Sequence, residues 1–440
     1  MGRSLWPWPV VAAVLAVGLG VGLPAMDGVL EEPGGDHPLT FVFGGGPSAA
    51  RDLLAAIAGS LISVTGLTFS FTVVALQLSS SQHSPRLLQT FVTDRVVQAT
   101  LAQLIATFVY ALTVLRTVRA EDATSSGSAF VPRLSVTVGF VLTFVSVIAL
   151  VLFLGHLARS LRVETMLRDV HDEAGRTYDS ELPTADEAPA PAVLLPEGAP
   201  THVPAASSGF VVDVDAEAIV QAAVAADATV VLVHRIGDSV VTGTPLAQVW
   251  WRRGSGAEGV GDLGATVQRG VELHFERSPE RDVAYSLRKI VDIAVRALSP
   301  GTNDPTTAVH ALSHVSSLLG ELVARPPRTL ALRDEGGTLR LVVPAWEVRG
   351  LVQVGLEEPV QFAAGQPAVL RRIAALLREL AWLAPRSSLD DDLRGYLQRV
   401  TELARESASV SRTETDRWER EFRDAMAGRW SRPDPAEMPT

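Results

Sequence analysis

The chain is expected to fold as a mixed protein. Four N-terminal transmembrane helices come first, then a cytosolic α+β region made of a small barrel-sandwich-like β module and a helical module. Three observations predict this. Four apolar stretches, all within the first 157 residues, each meet the roughly 20-residue length needed to cross a bilayer. Beyond them, short strands set between Gly, Asp and Thr turn residues give way to amphipathic helices. Hydrophobic residues make up 47% of 440, high for a soluble protein and modest for a polytopic one, which suits a hybrid of the two.

Composition also removes function classes. A net charge of -11 opposes nucleic-acid binding, which needs basic surface against phosphates. With no cysteine, disulfides, thiolate catalysis and cysteine-ligated metal centres are all excluded. No cofactor-binding motif appears, so none is expected.

The predicted spans are 6–26, 53–78, 96–115 and 134–156. The first follows Arg3 and resembles a signal peptide, but VGLPAM lacks an Ala-x-Ala cleavage pattern, so a retained anchor is expected. Orientation follows from Lys and Arg near the span ends. Arg86 and Arg95 lie between spans two and three, and Arg159, Arg162 and Arg168 follow span four. They place both termini and the C-terminal region in the cytosol, against the mild dissent of Arg116, Arg119 and Arg133.

Span two carries two polar stripes. Ser63, Gly66, Ser70, Gln77, Ser81 and Ser84 fall on one side at 100° per residue, and Thr65, Thr68, Thr72 and Ser79 fall almost opposite. Small and hydroxylated residues mark helix–helix contact in membranes. Two opposed stripes therefore predict a central helix, in a bundle or a homo-oligomer. One stripe either lines a hydrated path or serves as a packing seam. No Asp, Glu, Lys or Arg falls within a predicted span, which opposes the usual ion path. Gln77 and Gln103 are the costliest polar groups at depth and should find partners. Ser84 and Pro85 read as the N-cap and first position of a helix running unbroken to Arg116, about 48 Å long. Its first part would be an amphipathic cytosolic extension.

A charged helix over 157–178 continues span four, and 172–204 reads as a linker with one short strand at 193–195. Then come Ser208-Gly209-Phe210-Val211, a helix at 216–226, a strand at 229–234, and Gly237-Asp238-Ser239-Val240-Val241-Thr242-Gly243-Thr244-Pro245-Leu246. This pattern resembles the barrel-sandwich fold of biotinyl and lipoyl domains and efflux adaptors. Carrier chemistry needs a lysine at a hairpin tip. The chain's one lysine, Lys289, lies outside the segment on a predicted helix, which leaves an adaptor or a binding surface.

After a glycine-rich loop (252–264), Ser278-Pro279 is expected to open a helix to 298, with Val283, Leu287, Ile290, Ala294 and Leu298 inward. Ser299-Pro300-Gly301-Thr302-Asn303-Asp304-Pro305 turns the chain into a second helix at 305–323, with glycine past one helix end and proline opening the next. A hairpin pairs 329–332 with 339–343, and helices follow at 345–357, 367–383, 389–404 and 414–427. The domains are thus 1–157, 158–205, 206–253 and 254–430, with a disordered tail at 431–440.

VALQLSSSQHSPRLLQTFVTDR, then FVYALTVLRTVR, then VDIAVRALSPGTNDPTTAV together resemble the DUF2254 family of predicted bacterial membrane proteins. The resemblance runs through nearly the whole chain. It makes Ser84, Pro85, Arg86, Ser299, Pro300, Gly301, Asn303, Asp304 and Pro305 the signature loops, and implies four N-terminal spans with a cytosolic C-terminal region. A multi-pass protein of the bacterial cytoplasmic membrane is expected, with no biochemical activity attached.

Three constellations bear on chemistry. His310 and His314 stand at the i, i+4 spacing of a metal-binding pair, but without a third ligand or an HExxH frame a solvated helix face is expected, and no metal. Asn303-Asp304 reads as a helix cap. Asp390-Asp391-Asp392 suits the first turn of a helix. No acid, base and nucleophile set converges, so the chain is not expected to be an enzyme. The expectation is an oligomeric channel or transport protein with a cytosolic regulatory or assembly region. The alternative is a non-conducting scaffold or sensor whose cytosolic region binds a partner.

Overall fold

Four long apolar helices open the chain: α1 (Pro7–Leu30), α2 (Pro47–Gln82), α3 (Arg95–Leu115) and α4 (Arg133–Ser160). The structure is a computed structural model describing residues 7–30, 43–82, 94–119, 130–160, 162–183, 193–252, 260–384, 389–407 and 409–430. It divides into two units, Met1–Thr165 and Met166–Thr440. All four helices are long and apolar enough to cross a membrane.

In the first unit α3 touches each of the other three helices. Half of its apolar window is buried, against 22–28% for the others. This corrects the expectation that span two is central within the chain. Hydropathy alone cannot rank the spans, because what decides is how many faces find a neighbour. Leu104, Tyr110, Ala111 and Val114 of α3 meet Ala50, Leu54, Ile57 and Leu61 of α2, Ala16 of α1 and Val136 of α4. Val97 and Leu101 meet Phe153 of α4. A Cβ on Gly20 would stand 2.8 Å from Thr113 Cβ, so α1 packs against α3 there with no room for a side chain.

Both ends of this bundle are tied by carboxylates. Asp27, only 7% exposed, accepts the N–H groups of Leu134 (3.1 Å) and Ser135 (3.0 Å) and the Ser135 hydroxyl (2.7 Å). One helix thereby satisfies the orphan N-terminal donors of another. At the opposite end Asp94 accepts from Val96 N–H (2.8 Å), capping α3, and lies 2.5 Å from His156 Nε2 of α4.

The second unit opens, from Met166 on, with α5 (Val163–Glu181). Span four was expected to run on through this segment, but one helix ends at Ser160 and the next begins at Val163. No strand forms at 193–195, where Leu194 is 83% exposed; the first strand is β1 (Thr201–Pro204). Next come β2 (Gly209–Val214), α6 (Ala216–Ala225), β3 (Ala228–Leu232), β4 (Ser239–Val240), β5 (Pro245–Trp251), α7 (Val260–Gly270) and β6 (Val271–His274). Then follow α8 (Val283–Ala297), α9 (Pro305–Ala324), β7 (Leu330–Arg333), β8 (Leu339–Val343), α10 (Val348–Phe362), α11 (Pro367–Leu383), α12 (Asp390–Glu406) and α13 (Arg412–Met426).

The strands form two sheets, β1-β5-β3-β8-β7 and β4-β2-β6, around one core that includes Val211, Ile219, Val230, Leu246, Val249, Val267 and Leu341. The β7–β8 hairpin completes the larger sheet through parallel pairing of β3 with β8. The boundary expected at 253 is therefore not a physical one: the segment 206–253 lacks the strands that finish its own sheet. Thr229 and Leu341, far apart in sequence, are both buried by that union.

Glycine is required at one junction of this unit. Gly237 has φ +90°, and a Cβ there would lie 2.2 Å from a carboxylate oxygen of Asp282. Asp282 is buried, pairs with Arg277 at 2.6 Å and accepts the Ala284 N–H at 3.1 Å. Burial pushes its carboxyl above the usual range, against the pull of Arg277. This cap starts α8 at Val283 rather than at the expected Pro279. The expected inward residues of α8, Val283, Leu287, Ile290, Ala294 and Leu298, are all buried.

The α1–α3 approach yields a test. Gly20→Leu should lower the thermal midpoint in detergent by several degrees, as expected for overpacking worth about 1–3 kcal/mol. Gly22→Leu, where a Cβ meets nothing within 4 Å, should leave it unchanged.

Candidate functional site

The two stripes of α2 have different fates. Thr68 and Thr72 are buried on the side facing the bundle, and their hydroxyls return to the carbonyls of Val64 and Thr68, both at 2.8 Å. Ser63, Gly66, Ser70 and Gln77 are exposed in the single chain. Gly59 joins this edge, and a Cβ at Gly59 or Gly66 meets nothing within 4 Å. The Ser63 hydroxyl donates to the Gly59 carbonyl at 3.1 Å. The second side of α2 is thus uncovered by the described residues of its own chain. The side chain of Ser81, and all of Ser84, Pro85, Arg86 and the expected amphipathic extension, lie outside the described residues.

The helices differ in length. α2 has 36 residues and runs about 54 Å, whereas α3, with 21, runs about 30 Å and matches the hydrocarbon thickness. Leu54 and Tyr110 meet at Gly139, so they share a level. Gln77 lies about 34 Å along α2 from that level, but Asp94 only about 24 Å along α3. Gln77 is the last residue of the apolar stretch Pro47–Gln77 of α2 and is exposed in the single chain. Gln103 is at depth and is partnered. Its amide nitrogen lies 3.2 Å from Thr107 Oγ1 and 3.4 Å from both the Leu142 carbonyl and Ser146 Oγ. Thr107 and Ser146 hydroxyls meet at 2.9 Å. This network joins α3 to α4 and leaves Gln103 committed to packing.

The signature turn is a cap built from its own atoms. The Asp304 carboxylate accepts the Thr307 N–H (3.0 Å) and the Thr307 hydroxyl (2.6 Å), and Pro305 begins α9. Asn303, not Gly301, takes the left-handed conformation, with φ +44°. Its side-chain oxygen accepts from Gln366 Nε2 at 2.8 Å, tying the turn to the start of α11. Ser299 donates its hydroxyl to the Arg296 carbonyl at 2.7 Å, while Ser299 itself, Pro300 and Gly301 stay at the surface. The Thr307 hydroxyl and N–H hold the Asp304 carboxyl below its ordinary range.

His310 and His314 do share one face of α9, with ring centroids 5.7 Å apart. A third imidazole comes from α5: His171 meets His314 edge-on, with centroids 5.0 Å apart. Among the described residues, no three His, Asp or Glu side chains are arranged to hold a metal ion. Beside this cluster, Glu173 of α5 pairs with the buried Lys289 of α8 and accepts the Ser286 hydroxyl at 2.8 Å. Sequence reasoning missed both, since α5 reads only as a charged helix. The sole signal was Lys289 itself, a single lysine in a chain otherwise using arginine. Asp390, Asp391 and Asp392 occupy the first turn of α12, as expected from the helix dipole.

The cap is testable by substitution. Asp304→Ala should cost about 1 kcal/mol of stability, and Asp304→Asn, itself a good cap, much less. The lowered carboxyl makes the Asp304 contribution complete above about pH 4 and lost on further acidification. The Asp304→Ala difference should therefore be constant in thermal melts between pH 5 and 8.

The comparisons agree with these features. A model of the family described as predicted membrane protein (DUF2254) matches residues 2–379. Uncharacterized proteins of Mycobacterium bovis (Mb1321c) and Mycobacterium tuberculosis (Rv1290c) are each 34% identical over 388 residues. That alignment covers 86% of this chain and 72% of each relative. No solved structure matches the chain. Four apolar helices, the Ser299–Pro305 turn and a family match over most of the length lead to one conclusion: the chain belongs to the DUF2254 family of predicted membrane proteins.

Proposed function

We propose that the chain is one subunit of a homo-oligomeric channel or transport protein of the bacterial cytoplasmic membrane, with both termini and the mixed α/β region in the cytosol. Copies meet along the Gly59–Ser63–Gly66–Ser70 edge of α2, and the mixed region, with its two adaptor-like sheets, regulates or assembles the oligomer without catalysing a reaction. The observation that carries this reading is the two-sided chemistry of α2. Its threonine side is buried by its own chain, while its small and hydroxylated side is exposed and open. A lipid-facing surface gains nothing from such residues, whereas close backbone approach between helices requires them. The neighbouring exposed residues Leu67, Phe69 and Phe71 are the ones suited to acyl chains.

The absence of cysteine makes the seam directly addressable. Gly66→Cys and Ser70→Cys should each give an oxidised dimer in native membranes, and Phe144→Cys, exposed on α4, should not. Ion flux in liposomes should be measurable for the native chain and reduced at least severalfold by Ser70→Leu. Failure of both cysteines to cross-link would overturn the seam. Cross-linking without flux would overturn conduction and leave an oligomeric scaffold or sensor.

A further inference from the structure

Helix α5 is the element that follows the fourth apolar helix directly in the chain, and within its own unit it is docked at several points. The Thr177 hydroxyl donates to the Pro279 carbonyl at 2.7 Å, and the buried Tyr178 hydroxyl donates to the Val283 carbonyl at 3.3 Å. The Glu173–Lys289 pair comes next along the helix. All of these hold α5 to α8 or to the segment leading into it. Toward the helix start the contact is with α9 and changes in kind: it is imidazole against imidazole.

His171 and His314 touch edge to face at 5.0 Å with planes 62° apart, and His310 stands on the far side of His314 at 5.7 Å. His171 Nδ1 is buried and has no hydrogen-bond partner among the described residues. A proton added there would be a buried N–H without an acceptor, and a second charge on His314 would face it across the contact. The groups that face His314 are His171 from α5, His310 from its own helix and the carboxylate of Asp172 from α5. One exposed carboxylate offsets one imidazolium, so a second proton leaves net repulsion across the seam.

We propose that His171, His310 and His314 form a proton-operated latch, which holds the start of α5 on α9 while the rings are neutral and releases it when they are charged. Burial, with the two neighbouring imidazoles, holds the His314 ring below the ordinary imidazole range, against Asp172. The sign follows from linkage. The free ring binds a proton more readily than the docked one, so the docked arrangement is fully favoured above about pH 6.5 and weakens as acid is added. Histidine is the side chain whose ordinary titration falls in this window.

The test is hydrogen–deuterium exchange of the full chain in nanodiscs at pH 7.5 and 5.5, with labelling times scaled for intrinsic exchange. Peptides from the first half of α5 should exchange at least severalfold faster at pH 5.5, while α8 stays protected. His171→Gln with His314→Gln should abolish the difference. His310→Gln, an exposed change that keeps the fold intact, should move the release to lower pH and shrink it, because it removes a like-charged neighbour from His314. The latch is overturned if α5 exchange in the native chain is independent of pH, or if His310→Gln does not move the release. Protection of α5 by equimolar zinc at pH 7.5, lost in the double variant, would overturn it in favour of a metal site.

Discussion

The membrane unit depends on one demand: every polar group withdrawn from water must find its partner within the protein. An unpaired amide or carboxylate in hydrocarbon costs several kcal/mol, more than any single helix contact returns. Asp27 and Gln103 show how the demand is met. Asp27 gathers three donors at the N-terminus of α4, and Gln103 gathers a hydroxyl, a carbonyl and a second hydroxyl between α3 and α4. Both tie α4 into the bundle, and α3 becomes the axis because half of its apolar window is buried, more than in any of the other three helices. Packing at Gly20 and the Leu54–Tyr110–Gly139 contact then fill the remaining faces.

The same demand shapes the second unit under a different solvent. Asp282 is taken out of water, so it is given Arg277 and a backbone N–H, and Gly237 must give way for it. Lys289 is buried likewise and is given Glu173, with the Tyr285 ring 5.0 Å away. A buried pair of this kind contributes little net stability but is costly to break from one side, so it dictates where α5 lies against α8. The sheets illustrate a parallel constraint on backbone groups. Without β8, strand β3 would leave an unpaired edge, and the 330–343 hairpin supplies it.

Local readings succeeded where the governing physics is local. The 305–323 helix, its Asp304 cap, the 329–343 hairpin and the 367–383 helix depend on residues within a few positions of one another, and all appear within a residue or so of expectation. Readings failed where two nearby signals compete. Ser278-Pro279 and Asp282 both offer a helix start, and only the burial of Asp282 beside Arg277 selects the second. The helix expected at 345–357 runs instead from Val348 to Phe362, with Pro359 buried inside it.

Apolar runs of sufficient length, the two chemistries of α2 and the spacing of His310 and His314 were set by amino-acid order alone, because hydropathy and helical periodicity need no knowledge of neighbours. Which stripe of α2 the chain covers, which span is innermost, and that a third imidazole joins the pair were decided only by tertiary structure. Each of those depends on a partner distant in sequence: α3 and α4 for the packing of α2, the three neighbouring helices for α3, His171 for the cluster. Side-chain period tells a helix which faces it has, and only the packed fold tells each face what it meets.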